Sequence, residues 1–373
     1  AAGDAELVDR ALALCSGAEL QAFTFGALES GARSATTLPT GVIEIALALG
    51  RGAADAPLLD AAERVVLDAP HPPLSVALGH ALCLRGELGR ALSILRQAGT
   101  PEARVEAAEV ARRSGDVEGA TELAGACLDG PAERARAILA RLALDGGDVA
   151  RCRALLGDAS ETVAAIEVRA LLALCEGRRA DALVLVDQGL SLAVDAEERA
   201  RLEATRGGAH HAAGQAEAAL ACFRRATELA TRAGAVLEEA TYSTGLAAAA
   251  TDVGRLAEAL EAARRAVLLF EHLGRPRDAA RAALARTAAY SAAGAVAETS
   301  DAAHDALARA RAADDSRCAA YVHLALADVL PLSSLDGGEH ADRALSLVSE
   351  PDDRLRAEAL RLIRGRQVDL AEL

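Results

Sequence analysis

The chain has 373 residues, of which 52% are hydrophobic and only 2% aromatic, and its formal net charge is −15. This charge disfavours nucleic acid as a ligand, because neutralisation of phosphates by basic side chains dominates such binding. The sequence contains no lysine, which excludes the P-loop, protein-kinase and Schiff-base mechanisms that need that side chain. We therefore expect neither an enzyme nor a bound cofactor or metal.

The first 70 residues are predicted to form an atypical N-terminal set of helices. Their patterns favour helices over Asp4–Cys15, Ala18–Glu29 and Val42–Leu49, and a fourth from Pro57 to Asp68. The N-terminus does not have the basic and apolar regions of a signal peptide, and no uncharged apolar run is long enough to span a membrane. Methionine is absent, even at position 1, so either the start was removed by processing or the chain is a segment of a longer polypeptide; we expect the second.

The seven cysteines are odd in number, scattered through helical stretches and never paired as CxxC. This distribution favours reduced, mostly buried thiols in a cytoplasmic protein over a disulfide framework.

From residue 71 onward, glycines mark a regular series of turns. Each of seven turn glycines has a small residue seven positions earlier and another five positions later. Two helices approach closely only where side chains are small, so this rule predicts a series of antiparallel helical hairpins. The turn glycines are Gly86, Gly115, Gly147, Gly177, Gly214, Gly254 and Gly294; the earlier residues are Gly79, Ala108, Ala140, Ala170, Gly207, Ala247 and Thr287; the later ones are Ala91, Ala120, Cys152, Ala182, Ala219, Ala259 and Thr299.

The spacing of these glycines predicts where the chain divides. It is 29 to 32 residues up to Gly177, then 37, and then 40 in both following intervals. We therefore predict short-period repeats over 71–194 and 40-residue repeats over 195–313, after the N-terminal helices of 1–70. Residues 314–373 are predicted to be C-terminal capping helices, with a loop over 331–338.

The hairpin around Gly214 carries Ala219, Phe223 and Ala226 in its second helix, as A-x3-F-x2-A. This pattern resembles the tetratricopeptide (TPR) repeat family. The 40-residue spacing is similar to the TPR sensor arrays of bacterial STAND-type regulators and of TPR-bearing signalling proteins. His210 stands where TPR repeats have a tyrosine, and we expect it to be packed in the core. The resemblance implies an all-α, TPR-like right-handed superhelix (α-solenoid) of about nine or ten helical hairpins.

In TPR proteins the concave surface is lined by first-helix residues at fixed offsets before each turn, and it binds peptides or small inducers. The resemblance therefore implies a partner-binding surface with no catalytic group. Its residues are Glu102, Glu109, Arg112, Arg113, Arg134, Arg141, Arg201, His211, Thr244, Asp252 and Arg281, together with Asp145, Glu167, Thr241, Thr251 and Ser291.

The arginines of this surface have two interpretations. They can hold a carboxylate-rich ligand, since guanidinium groups pair with carboxylates through two hydrogen bonds. Alternatively, they are solvated and paired with Glu102, Glu109 and Asp145, because surface ion pairs are common and weak.

The expected function is a non-enzymatic protein-interaction and regulatory module of a larger cytoplasmic bacterial signalling protein, binding a protein or peptide partner along its concave surface. The alternative is a small-molecule inducer-sensing domain of a STAND-type transcription activator. Neither of these two functions involves binding to nucleic acid or to a membrane.

Overall fold

A computed structural model describes residues 59–60, 62–63, 66–67, 72–128, 132–157, 162–330 and 335–347. Within them the chain forms sixteen α-helices and no strands, which confirms the predicted all-α class. The helices predicted at 4–15, 18–29 and 42–49, and the part of the predicted C-terminal capping helices beyond residue 347, lie outside the described residues.

The first four hairpins are built from short helices. Each has a first helix and a second helix joined by a turn of two or three described residues. They are α1 Pro72–Leu84 with α2 Leu88–Ala98, α3 Pro101–Ser114 with α4 Val117–Gly125, α5 Ala132–Asp145 with α6 Val149–Leu156, and α7 Val163–Cys175 with α8 Arg179–Leu192.

From α9 onward the helices of the next three hairpins lengthen to 17 or 18 residues. They are α9 Ala196–Ala212 with α10 Ala216–Ala233, α11 Val236–Asp252 with α12 Leu256–His272, and α13 Pro276–Ala292 with α14 Val296–Ala312. The last described hairpin is α15 Ser316–Val329 with α16 Leu335–Leu347.

All seven predicted turn glycines stand in the left-handed backbone region, with φ between 68° and 86°. In the turn between α3 and α4, the Gly115 amide donates to the Arg112 carbonyl, and the Asp116 amide donates to the Ala111 carbonyl. These two bonds satisfy carbonyls that the end of a helix leaves open. The left-handed conformation explains why glycine recurs here, since a β-carbon is disfavoured in it.

The small residues beside each turn are where the two helices of a hairpin meet. All seven residues before the turns are buried, and all seven residues after them are completely inaccessible to solvent. At Gly79 the approach is so close that an added β-carbon would lie 2.5 Å from the Leu95 side chain. The small residues at these two spacings therefore mark the positions where the two helices of a hairpin are in contact.

The C-terminal prediction needs one correction. Residues 335–338 were predicted to belong to a loop, because of Gly337 and Gly338, but α16 already begins at Leu335. Ala341 and Ala344 of this helix are buried against α15 and its surroundings. Packing of this apolar face outweighs the cost of about 1 kcal/mol that a glycine adds to a helix.

The chain divides into two compact units. Unit 1 comprises residues 1–209 and 228–236, and unit 2 comprises 210–227 and 237–373. Both cores consist mainly of alanine and aliphatic side chains. Five of the six described cysteines are buried, in line with the prediction that most of them are, and Cys175 is exposed.

Candidate interaction surface

The first helices of the first five hairpins carry a continuous network of ion pairs, all within unit 1. Each first helix contributes at least one charged side chain. The members are His80 on α1; Glu106, Glu109, Arg112 and Arg113 on α3; Arg134, Arg141 and Asp145 on α5; Glu167 on α7; and Glu197 and Arg201 on α9. We refer to these residues as the inner network.

Glu197 is the member with the most distant partners along the chain. Its Oε1 accepts hydrogen bonds from Nη2 of Arg113, at 2.7 Å, and from Nη1 of Arg201, at 2.6 Å. Its Oε2 lies 3.2 Å from Nε2 of His80. The carboxylate is only 8% exposed, so these three cations replace the water that burial removes.

Glu106 forms a second buried centre beside it. Its carboxylate lies 2.6 Å from Nη1 of Arg134 and 3.8 Å from Nδ1 of His80. His80 therefore stands between two carboxylates, one on α3 and one on α9.

Two further branches complete the inner network. On α3, Glu109 accepts hydrogen bonds from both Arg112 and Arg113, at 2.7 and 2.8 Å. On α5, Arg141 donates to Asp145 at 2.9 Å.

The second branch continues through Glu167 on α7. Its carboxylate lies 3.6 Å from Arg141 and accepts a hydrogen bond of 2.9 Å from Arg201. Glu167 thereby connects α5 with α9.

These contacts shift the pKa values of His80, Glu106 and Glu197 so that the charged form of each is favoured. Burial alone lowers the pKa of His80, but Glu197 and Glu106 outweigh it and raise that pKa to about 10. Burial raises the pKa of Glu106, but Arg134 and His80 outweigh this effect and lower the pKa to about 2. The pKa of Glu197 is held well below its usual value by Arg201, His80 and Arg113, against the effect of burial. At neutral pH all these groups are therefore charged.

The structure brings together most of the residues predicted for the concave surface of unit 1. Glu109, Arg112, Arg113, Arg134, Arg141 and Arg201 all belong to the inner network, whereas Glu102 is exposed and lies outside it. Every one of the five arginines has an internal carboxylate partner. Glu109 and Asp145 were foreseen as such partners, but Glu102 was not found among them.

Three members of the inner network escaped the sequence prediction: His80, Glu106 and Glu197. His80 lies six residues before Gly86, just as Glu109 precedes Gly115 and Arg141 precedes Gly147, so the pattern could have found it. Glu197 lies four residues before Arg201, a spacing that allows a helical ion pair. Glu106 carried no signal, because its offset is not one that the resemblance assigns to the surface.

The predicted residues of unit 2 are not members of the inner network. His211 pairs with Asp252, with Nε2 and Oδ2 2.9 Å apart, and both side chains are nearly half exposed. Arg281 is 58% exposed and donates to Asp315 at 3.2 Å. Thr244 is partly exposed, and its hydroxyl donates to the Ala240 carbonyl of its own helix.

One prediction for unit 2 is wrong. His210 was expected in the core, but it is partly exposed, and its Nδ1 lies 2.6 Å from Oε1 of Gln215 just past the turn. A short polar bridge across the turn takes the place of the aromatic contact that the TPR pattern has there.

Over the described part of the chain, no group of three or more His, Cys, Asp or Glu residues is arranged to hold a metal ion. Among the same residues, no helix is long and apolar enough to cross a membrane. The inner network itself combines five arginines with five carboxylates, so it is nearly neutral.

No protein-family model and no curated protein matches the sequence. Solved structures do match the fold. A Rap protein complexed with Competence and Sporulation Factor is 12% identical, with a TM-score of 0.53 over 82% of this chain and 99% of that one. The Cut9–Hcn1 hetero-tetramer of APC/C is 14% identical, with a TM-score of 0.68 over 95% of this chain and 68% of that one.

Both matched proteins are TPR-repeat proteins. A third structure, of a signal-transduction ATPase with a TPR sensor from Pyrococcus horikoshii, is 15% identical, with a TM-score of 0.48 over 96% of this chain and 54% of that one. At these identities the likeness concerns the fold alone.

Proposed function

We propose that this chain, which has the tetratricopeptide-repeat fold, is a non-enzymatic protein-interaction and regulatory module of a larger cytoplasmic bacterial signalling protein. In this proposal a protein or peptide partner binds along the first helices of the hairpins. Open arrays of helical hairpins present long surfaces of this kind. A structural neighbour, the Rap protein, was itself solved in complex with a factor, which supports the same use here.

The observation that carries the proposal is the exposure of the predicted surface residues in unit 2. Arg281, Asp252 and His211 keep about half of their side-chain area accessible, although each has an ion-pair partner. Exposed ion pairs contribute only about 0–1 kcal/mol, so a partner can replace them at little cost. We therefore propose His211, Thr244, Asp252 and Arg281 as the contact residues of unit 2.

In unit 1 the predicted contact residues are engaged internally. Arg134 and Arg141 are the most exposed arginines of the inner network, and Glu102 is exposed outside it. A carboxylate of a partner can reach these two arginines first, and a basic group of a partner can reach Glu102. Arg113 is only 4% exposed, and we assign it a structural role in the closed network.

The test is site-specific photo-crosslinking with a benzoylphenylalanine placed at Thr244 of the parent protein in cells. The matched control places it at Glu261, an exposed residue of α12 whose ion pair with Arg264 stays within that helix. We expect a polypeptide adduct at Thr244 and none at Glu261. Equal adducts at both positions, or none at either, would contradict the proposal.

A second measurement separates the small-molecule alternative. A metabolite that raises the melting temperature of the protein, with no polypeptide adduct at Thr244, would favour the inducer-sensing function, because a ligand that binds only the folded state stabilises it. If a partner binds instead, Asp252→Arg combined with Arg281→Glu should abolish the polypeptide adduct at Thr244.

A further inference from the structure

Glu197 makes contacts that an array of hairpins does not require. In such arrays each hairpin packs on its neighbours in the chain. Glu197 lies on α9, in the fifth hairpin, yet it contacts His80 in the first hairpin and Arg113 in the second. The first helices of unit 1 are therefore joined across the array as well as along it.

The ion pair between Glu197 and Arg113 is buried, and both of its groups are charged. Glu197 is 8% exposed and Arg113 4%, and their hydrogen bond of 2.7 Å connects residues 84 positions apart. Burial of a carboxylate is unfavourable unless it is fully paired, and two of the three cations around Glu197 lie on α1 and α3, so its buried position depends on these two helices.

The cations that hold Glu197 each have another carboxylate close by. Arg113 keeps Glu109 at 2.8 Å on its own helix, and Arg201 keeps Glu167 at 2.9 Å on α7. For His80 the second carboxylate is Glu106 on α3, at 3.8 Å. If α9 separates from α1 and α3, no cation is left without a carboxylate, and Glu197 itself gains water.

We propose that Glu197 is a charge latch: its ion pairs hold α9 against α1 and α3. Release of the latch separates α9 from these helices and exposes the surface that carries the inner network. The duplicate carboxylates make both states electrostatically satisfied, which is what a two-state element needs. The further statement that the latch controls access of a polypeptide partner rests on the proposed function.

The latch is tested by hydrogen exchange of the full chain carrying Glu197→Gln. We expect the amides of α1 and α3 to exchange at least tenfold faster than in the wild type, because the neutral amide attracts His80 and Arg113 far less. The control, Glu261→Gln, removes an exposed ion pair of α12 and should leave both helices unchanged. Unchanged exchange of α1 and α3 in folded Glu197→Gln would overturn the latch.

If Glu197→Gln loses its helical circular dichroism, the variant His80→Gln decides. It removes one of the two distant contacts and keeps the Arg113–Glu197 pair. We expect faster exchange in α1 with α3 little changed; unchanged exchange in α1 would overturn the latch.

Access of a partner is measured separately, with the photo-crosslinker at Glu102, an exposed residue of α3 outside the inner network that the resemblance assigns to the partner-binding surface. Glu197→Gln should increase the yield of the polypeptide adduct there. Faster exchange without any polypeptide adduct, at Glu102 or at Thr244, would overturn the proposed function and leave the latch standing.

Discussion

The phenyl ring of Phe223, on α10, lies against Gly245, on α11, so closely that a β-carbon at Gly245 would be 2.6 Å from the ring. Both residues belong to unit 2. The contact joins two successive hairpins, and it pairs the large aromatic residue of the A-x3-F-x2-A pattern with a position that has no side chain.

We predict that Gly245→Ala destabilises the protein by about 1–3 kcal/mol, the usual cost of overpacking a core contact. This reverses the expectation from helix propensity alone, which favours alanine over glycine by about 1 kcal/mol. Urea denaturation measures the change. The matched control is Gly208→Ala, in α9, where nothing lies within 4 Å of the added carbon; that variant should be neutral or more stable. Adding Phe223→Leu to Gly245→Ala should recover part of the loss, and equal stabilisation by both alanines would contradict the packing argument.

A second prediction concerns the turn glycines. Gly115 has a φ of 86° with open space around it, so Gly115→Ala adds backbone strain without a clash. We expect a loss of about 1–2 kcal/mol, because L-residues are disfavoured in the left-handed region. Gly89→Ala, also in open space but within α2, is the control and should gain stability. Thermal denaturation of the two variants distinguishes strain from a general effect of removing glycine.

The third prediction concerns the pH dependence of the inner network. The pKa of His80 is raised from 6.5 to about 10 in the folded protein by Glu197 on α9 and Glu106 on α3, which outweigh burial. The stabilisation is therefore fully present below pH 6.5 and is lost as the pH rises through about 10. The variant His80→Gln should be less stable than the wild type at pH 6 and should lose less stability between pH 7 and 10.

The measurement is urea denaturation of both proteins across this range. Arg113, Arg134 and Arg201 stay charged throughout it, so the difference between the two curves reports on His80. Parallel curves would show that the charge of His80 does not stabilise the fold.

The fourth prediction concerns His323, on α15, whose effect on the pH dependence of stability is opposite to that of His80. Its ring is stacked on that of His340, on α16, with the two Nδ1 atoms 3.0 Å apart. Burial, with His340, Arg343 and Arg311 nearby, lowers the pKa of His323 to about 4. The stability that depends on neutral His323 is present above pH 6.5 and is lost as the pH falls towards 4.

His323→Gln should reduce this acid sensitivity, since glutamine does not titrate. Hydrogen exchange of α15 and α16 at pH 7 and pH 5 locates the effect. The wild type should exchange faster at pH 5, after correction for the intrinsic rate, and the variant should not. A global change that includes α1 and α3 would contradict the assignment to this pair of helices.

The repeat architecture was predictable because its determinants are local in sequence. A left-handed turn favours glycine at one position, and the crossing of two helices seven residues before and five residues after it favours small side chains. These requirements recur with every hairpin. The same geometry is therefore indicated by Gly79, Gly86 and Ala91 in the first hairpin and by Ala247, Gly254 and Ala259 in the sixth. The start of α16 was misplaced because Gly337 and Gly338 resemble a turn, while the buried face that makes them helical is decided by packing.

The candidate surface was predictable only in part. Arg112 and Arg141 follow from their offsets before the turns, and their partners Glu109 and Asp145 lie three and four residues away on the same helix. By itself the sequence therefore determined the all-α hairpins, their turns, their close crossings and the local ion pairs. Only the tertiary structure decided that Glu197 reaches Arg113 from 84 residues away. The physical reason is that such a contact depends on how far the successive hairpins rotate relative to one another. That rotation is the sum of many small packing differences, and no spacing in the sequence encodes it.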